Sequence, residues 1–456
     1  MTHRKIFLLI LIGICLCSSV LAEEAREIPS FKPGDRVLVL APHPDDEVFG
    51  AGGVIGRAAK AGAKVKVVLL TNGENNKLSF MVYKKRFVFS GKKALEMGRL
   101  RRSETVNALK AYGLGADDVI SLGYPDFGTL KILTQYWGGE KTYANLAARA
   151  KKVPFREDFS PGAAYTGENI LNDLTRILSA FKPDVIFVSH PADEHRDHRA
   201  LYLFTRIALW DLKDQIGAPG VYPYLTHMKG WPSRQGYKPE LKQASPLELL
   251  ESDVAWQSLD LNAEEVKAKY EAIQQYPSQV TYARDLAYSH ARASEIFGDY
   301  PDVPLVSQSG PSFEWRGMNH YNPILLTQKT AQRKFISKVS YALQDGRFLA
   351  RVELKYLRNR IMGVTATFLG YKKGVPFADM PKIEVFSRLR YWSVKDKKER
   401  VSKENVSVSL NGKELIFSLP LELLGNPDFV LTSAKTRRAW DLSVDETAWR
   451  VLALES

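Results

Sequence analysis

Cysteine is nearly absent from this 456-residue chain, and its two copies, Cys15 and Cys17, both fall in the apolar stretch that opens it. Met1 to Ala22 combines a short basic start (Arg4, Lys5), an apolar core from Ile6 to about Cys17, and Ser18-Ser19-Val20-Leu21-Ala22 ahead of Glu23-Glu24. This is the pattern of a cleavable secretory signal over residues 1–22. The core is shorter than the ~20 residues needed to span a bilayer, which favours a secreted or periplasmic protein over a membrane anchor. Bulky Ile14 and Leu16 stand before the cysteines where a lipid-attachment site wants small residues. Cleavage would leave no cysteine, so the chain is expected to have neither disulfides nor thiolate ligands, and any metal must be held by histidine and carboxylate. Also missing are a His-Glu-x-x-His pair, which disfavours a metallopeptidase, an internal repeat and a strong low-complexity tract.

What is present is a globular composition, 45% apolar, in a chain long enough for two or three cores. The net charge of +13 is uneven: from Ala331 onward 23 Lys and Arg face 14 Asp and Glu, an excess of 9. A basic face of that kind suits acidic polysaccharide, anionic lipid or nucleic acid, or is simply a solvated surface.

Apolar runs alternate with helix-like segments through the first part of the chain. Arg36 to Ala41, Val65 to Thr71, Asp118 to Leu122 and Pro183 to Val188 read as strands. Val48 to Ala61, Lys93 to Tyr112, Glu168 to Phe181, Leu201 to Asp214 and Asn262 to Gln275 read as helices, the last capped by Asn262. Runs apolar on both faces predict an α/β, Rossmann-like, mostly parallel sheet with helices on both faces, over residues 23–297. Residues 126–167, rich in Gly, Lys and aromatics, read as an insertion near the site mouth. Residues 298–330 gather Pro, Gly and Ser and read as a linker. Beyond, residues 331–456 alternate with period two around Gln344-Asp345-Gly346 and Asn411-Gly412, predicting a C-terminal all-β, sandwich-like domain. Its aromatics Tyr391 and Trp392 could bind sugar and attach the protein to polysaccharide or a cell surface; core packing accounts for them equally.

Two clusters carry the chemistry. Pro42-His43-Pro44-Asp45-Asp46-Glu47 closes the first strand, and His190-Pro191-Ala192-Asp193-Glu194-His195-Arg196-Asp197-His198 follows the strand ending at Val188. Ligands in parallel sheets gather at such strand ends. An imidazole and three carboxylates within five residues are costly to desolvate unless they bind a cation or move protons. Alone, Asp45, Asp46 and Glu47 could cap the following helix, and His190 could be an ordinary loop residue. Occurring together at equivalent positions, the clusters point to one composite metal site, with His43, Asp46 and a later histidine as ligands.

At these residues the sequence resembles the LmbE-like, or PIG-L, family of zinc-dependent de-N-acetylases. His43-Pro44-Asp45-Asp46-Glu47 is similar to that family's His-Pro-Asp-Asp-Glu signature, His195-Arg196-Asp197-His198 to its His-x-Asp-His signature, and Tyr276-Pro277-Ser278-Gln279 to its closing Tyr-x-Ser-Gln element. The resemblance covers roughly residues 36–279. It implies His43, Asp46 and His198 as zinc ligands, with Fe2+ as another cation the set accepts. It implies Asp45 as the general base toward water, His195 as a cation that stabilises the oxyanion and protonates the amine, and Asp197 as an orienting partner. Arg101, in an Arg-x-x-Glu element with Glu104, and Asp126 are the expected substrate contacts, while His190 and Asp193 are expected to prop the metal loop. Arg196 stands where relatives often carry Pro, and Glu194 adds a negative charge beside His195. The activity the resemblance implies is hydrolysis of the N-acetyl group of an amino sugar or glycoconjugate, with an N-acetylated amino sugar or polysaccharide, and no nucleic acid, as the expected partner. The alternative is a secreted carbohydrate-binding protein whose metal is structural.

Overall fold

The computed structural model describes residues 27–85, 90–138, 141–250, 252–310, 312–319, 335–355, 362–388, 391–437 and 443–455. The signal segment 1–22, residues 320–330 of the expected linker and His320 lie outside the described residues.

Seven strands form the first sheet: β1 (Arg36–Ala41), β2 (Lys64–Thr71), β3 (Val119–Tyr124), β4 (Val185–Ser189), β5 (Gly220–Tyr224), β6 (Ala255–Asp260) and β7 (Ser294–Asp299), in the order β3-β2-β1-β4-β5-β7-β6. The first five run parallel, and β7 lies antiparallel between β5 and β6. The helices are α1 (Asp46–Lys60), α2 (Lys77–Lys84), α3 (Gly91–Leu109), α4 (Thr129–Gln135), α5 (Gly167–Phe181), α6 (Arg196–Ile216), α7 (Ala263–Gln274) and α8 (Pro277–Tyr288). Strand side chains alternate between faces. Leu38, Leu40, Val68 and Leu70 pack with α5 and α6, whereas Val37, Val39, Val67 and Leu69 pack with α1 and the end of α3. Both faces are covered, as doubly apolar strands require. Asn262 caps α7 as expected, accepting from the N–H groups of Glu264 and Glu265 while Glu265 accepts from its own N–H.

Sequence pattern had not indicated β5, β6, β7, α2, α4 or α8. Each is short or polar: β5 carries Pro223, β6 is half exposed, and α4 lies within the stretch read as insertion.

The second unit begins earlier than its pattern suggested. β8 (Val303–Gln308) lies in the stretch read as a linker, yet Val303 and Leu305 are buried while Pro304 and Val306 are exposed. It pairs in parallel with Arg450–Glu455 on one side and with Ile336–Gln344 on the other. That strand joins two antiparallel sheets into an open half-barrel rather than leaving separate sandwich layers. Phe348 and Phe368 meet edge to face across its interior, 5.3 Å between centroids. Asp345 and Gly346 both take positive φ, 47° and 73°, as a two-residue hairpin turn requires. Tyr391 is exposed, while Trp392 packs partly on the half-barrel core.

The half-barrel packs directly on the α5 and α6 face. Leu369, Tyr371, Phe377, Met380, Leu431, Trp449 and Val451 share one core with α5, α6 and Trp137. Phe377 meets Trp137 at 4.7 Å, and Trp210 stacks on Phe429 at 4.3 Å. Buried Arg450 reaches Asp253 at 2.6 Å. Because one core serves both units, we expect them to unfold together. Phe377→Ala should lower stability by about 3–5 kcal/mol in urea and shift a single transition; two transitions, with only the later strands affected, would refute a shared core.

Candidate metal centre

After β1 the chain turns through His43 to Glu47 and enters α1 at Asp46. Asp45 holds φ at +118° and its side chain makes no helix-capping bond, so a capping role does not account for it. A non-glycine residue in that region costs about 1–3 kcal/mol and persists only where the surroundings hold it. Here they do: the Asp45 N–H donates to Glu47 Oε2 at 3.0 Å, and the Tyr276 hydroxyl donates to Glu47 Oε1. Arg101, 4% exposed, donates to Pro44 O at 2.7 Å, Gly73 O at 3.1 Å and Asp45 Oδ2 at 3.1 Å.

Strands β1 and β4 are neighbours, and their ends bring the two clusters together. His43 Nδ1 is 3.0 Å from Asp46 Oδ2, His198 Nε2 is 3.0 Å from the same oxygen, and the two ring nitrogens are 3.3 Å apart. Three donors at this spacing can all lie at the ~2.0–2.2 Å that a tetrahedral zinc demands, which leaves a fourth position for water or substrate. The residues therefore fit a divalent cation. Wider groups of donor atoms within 4.8 Å of one another add His195 to His43 and His198, and His227 to Asp46 and His198.

Each imidazole of the triangle is held from behind by carboxylate. His43 Nε2 lies 3.2 Å from Asp126 Oδ1 and 3.3 Å from Asp197 Oδ2; His198 Nδ1 lies 3.1 Å from Asp193 Oδ2. The Thr226 hydroxyl donates to the outer oxygen of Asp46 at 2.9 Å. Such partners fix ring orientation and raise ligand basicity.

Burial opposes charge on both rings, yet the carboxylates prevail: His43 is held well above its usual range by Asp126, Asp197 and Asp46, and His198 is raised to about 9 by Asp193 and Asp46. Asp46 is held well below the usual carboxylate range against its burial by His198 and His43. Burial pushes Asp45 up to about 8, helped by Asp46 and Glu47 and opposed by Arg101. Glu74, buried beside Asp126, rises to about 8 for the same reason. His195 is pushed well below its usual value by burial and then by the charge on His43. Its Nδ1 accepts the Asp197 N–H at 3.3 Å, so the neutral ring carries its proton on Nε2. Burial and the charge on His43 both disfavour the cationic His195 that the resemblance implies.

Several expected roles fall differently. Arg101 is a buried strut of the His43–Glu47 turn, and Glu104 is bound to Ser278. Asp126 accepts the Asn75 N–H and faces His43 instead of solvent. Asp197 is placed as an orienting partner, and the imidazole its carboxylate faces at the shorter distance is His43. Asp193 is the prop expected, accepting from the N–H groups of His195, Thr226 and His227. His190 stacks on Trp256 at 5.7 Å, away from the triangle. Thr226, His227 and Glu74 were missed; the first two follow β5 as the other clusters follow β1 and β4, and an unrecognised strand hid that equivalence.

Asp193→Asn should lower affinity for a divalent cation by about 10–100-fold with unchanged secondary structure; unchanged affinity in a metal titration would deny Asp193 its orienting role. His190 supplies a pH test. Burial holds its pKa down at about 3 from an ordinary 6.5, so only the unfolded chain takes up that proton as pH falls below 6.5. Stability should drop between those values, and His190→Asn, which keeps an acceptor for the Ala192 N–H, should flatten part of the drop in urea titrations at stepped pH.

A model of the family described as GlcNAc-PI de-N-acetylase, PIG-L, matches residues 38–209. No curated protein matches the chain. Similar solved structures include the conserved protein TT1542 from Thermus thermophilus, 20% identical over 56% of this chain and 84% of its own, TM-score 0.32. The 4-carboxy-2-hydroxymuconate hydratase GalB from Pseudomonas putida KT2440 is 18% identical over 59% of this chain and 98% of its own, TM-score 0.37. The N,N'-diacetylchitobiose deacetylase from Pyrococcus horikoshii is 19% identical over 55% of this chain and 75% of its own, TM-score 0.32. Residues 38–209, which carry the signatures at His43–Glu47 and His195–His198, are thus the part of this chain that matches the PIG-L (LmbE-like) de-N-acetylase family.

Proposed function

We propose that the chain is a secreted, metal-dependent amidase that removes the N-acetyl group from an amino sugar, alone or within a polysaccharide. The observation that carries this reading is the His43, Asp46 and His198 triangle with Asp45 buried beside it, one carboxylate oxygen on Arg101 and the other without a hydrogen bond among the described residues. We assign zinc to the triangle on its two-imidazole, one-carboxylate donor set, which also accepts Fe2+. When bound, the cation supplies Lewis-acid polarisation of the acyl carbonyl and makes water more acidic.

The side chains do the rest. Asp45, fixed by Arg101, takes a proton from the water that attacks the acyl carbon. The neutral Nε2–H of His195 donates to the oxygen that becomes negative, in a site where burial strengthens the bond. As the carbon–nitrogen bond breaks, Asp45 returns the proton to the departing amine, leaving acetate and a free amino sugar. A sugar-binding protein with a purely structural metal would have no use for a buried, backbone-strained Asp45 at this position.

Acetate release from N-acetylglucosamine oligomers tests this. Release should vanish with chelator and return with zinc. Asp45→Asn should keep its metal while kcat falls about 10²–10⁴-fold. If loaded protein releases no acetate from any N-acyl sugar, the proposal fails.

A further inference from the structure

Beside the triangle lies a cleft that the reaction does not use. It has a volume of about 220 Å³, close to that of one sugar ring, and is walled by α4 and Arg196 on one side and by the half-barrel strands on the other. Lys131 and Arg196 face Lys435 and Arg437 across it, with Glu384, Glu446 and Trp449 completing the lining. The half-barrel cations are already engaged: Lys435 and Arg437 reach Glu384 at 3.6 and 3.5 Å. Buried Glu446 sits 3.4 Å from buried Arg199. Exposed Lys131 and Arg196 have no carboxylate within ion-pair distance among the described residues. Four cations against two carboxylates leave the cleft positive, with the surplus on the wall next to the reacting centre.

The cleft is continuous with that centre through Phe127. This ring is 52% exposed, lines the cleft and meets the His195 ring at 4.5 Å. Its backbone is held at φ +62°, an unfavourable value for an aromatic residue, by donation of its N–H to Asp197 at 2.6 Å. An exposed aromatic face fixed at this cost presents a stacking surface for a sugar ring.

Resting on the amidase reading, we propose that this cleft binds an anionic sugar unit, bearing carboxylate or sulfate, that adjoins the N-acetylated residue of a glycan, with Phe127 stacking between the two positions. The half-barrel thereby forms one wall of the substrate path, and the C-terminal excess of positive charge has a local use. Lys131 and Arg196 are the groups that meet the anion.

The test separates this site from the reaction by using oligomers without an N-acyl group. Oligogalacturonate and a sulfated galactan oligomer, titrated calorimetrically into the full chain, should bind with a salt-dependent Kd, and the pair tells carboxylate from sulfate. Lys131→Glu and Arg196→Glu, on separate elements, should each weaken binding roughly tenfold or more, with zinc content unchanged as the check on folding. Neutral galactan binding as tightly as the charged oligomers, Kd values unmoved by both substitutions, or tighter binding of a single-stranded oligonucleotide would overturn the proposal. Should the amidase reading fail, binding would survive without acetate release; should this inference fail, acetate release would survive without anion binding.

Discussion

Four carboxylates, Asp46, Asp126, Asp193 and Asp197, surround two imidazoles in a buried volume at the ends of β1 and β4. Leaving even one ionised carboxylate unpaired in such a place costs several kcal/mol. The arrangement is tenable because positive charge is supplied at the centre. Burial alone would lower both imidazoles, yet the facing carboxylates raise them, so the cluster favours positive charge at its centre, which a divalent cation would supply.

The sheet makes the cluster reachable. Strand order reverses at β1, with β2 and β3 on one side and β4 and β5 on the other, and a crevice opens at the carboxyl ends where the chain departs in opposite directions. His43 and Asp46 leave from β1, Asp126 from β3, His198 enters α6 after β4, and Thr226 follows β5. Four strands thus supply one small volume. No single segment could supply so many charges without repelling itself.

Much of this could be read in the sequence, for stated reasons. The strands β1 and β4, and β2 from Val67 onward, are buried on both faces and show as apolar runs, and α7 announces its start through Asn262 and Glu265. The triangle was legible because its residues stand in two dense clusters. What escaped were features set by tertiary contacts. β8 looks like a linker because Pro304 and the following exposed residues hide an alternation that only pairing on both edges reveals. Arg101 looks like a surface residue of an amphipathic helix, since nothing local shows that the turn after β1 will close over it. The charge state of His195 depends on His43, distant in sequence, and so could not be inferred from neighbours.

Asp197 ties the reacting centre to its surroundings. One oxygen faces His43 Nε2 and accepts the Phe127 N–H; the other accepts from the Thr129 N–H and hydroxyl at the start of α4. The same carboxylate therefore orients a ligand of the triangle, holds Phe127 in its strained conformation, and anchors the helix that carries Lys131. Asp197 is also the second residue of α6, just after Arg196, and α6 packs against the half-barrel core. A displacement of the half-barrel must therefore reach the triangle through α6 and Asp197, because each step of that path is a buried contact with little room to yield. On this argument the second unit is part of the framework of the candidate metal centre, since the position of His43 depends on how α6 sits between the two.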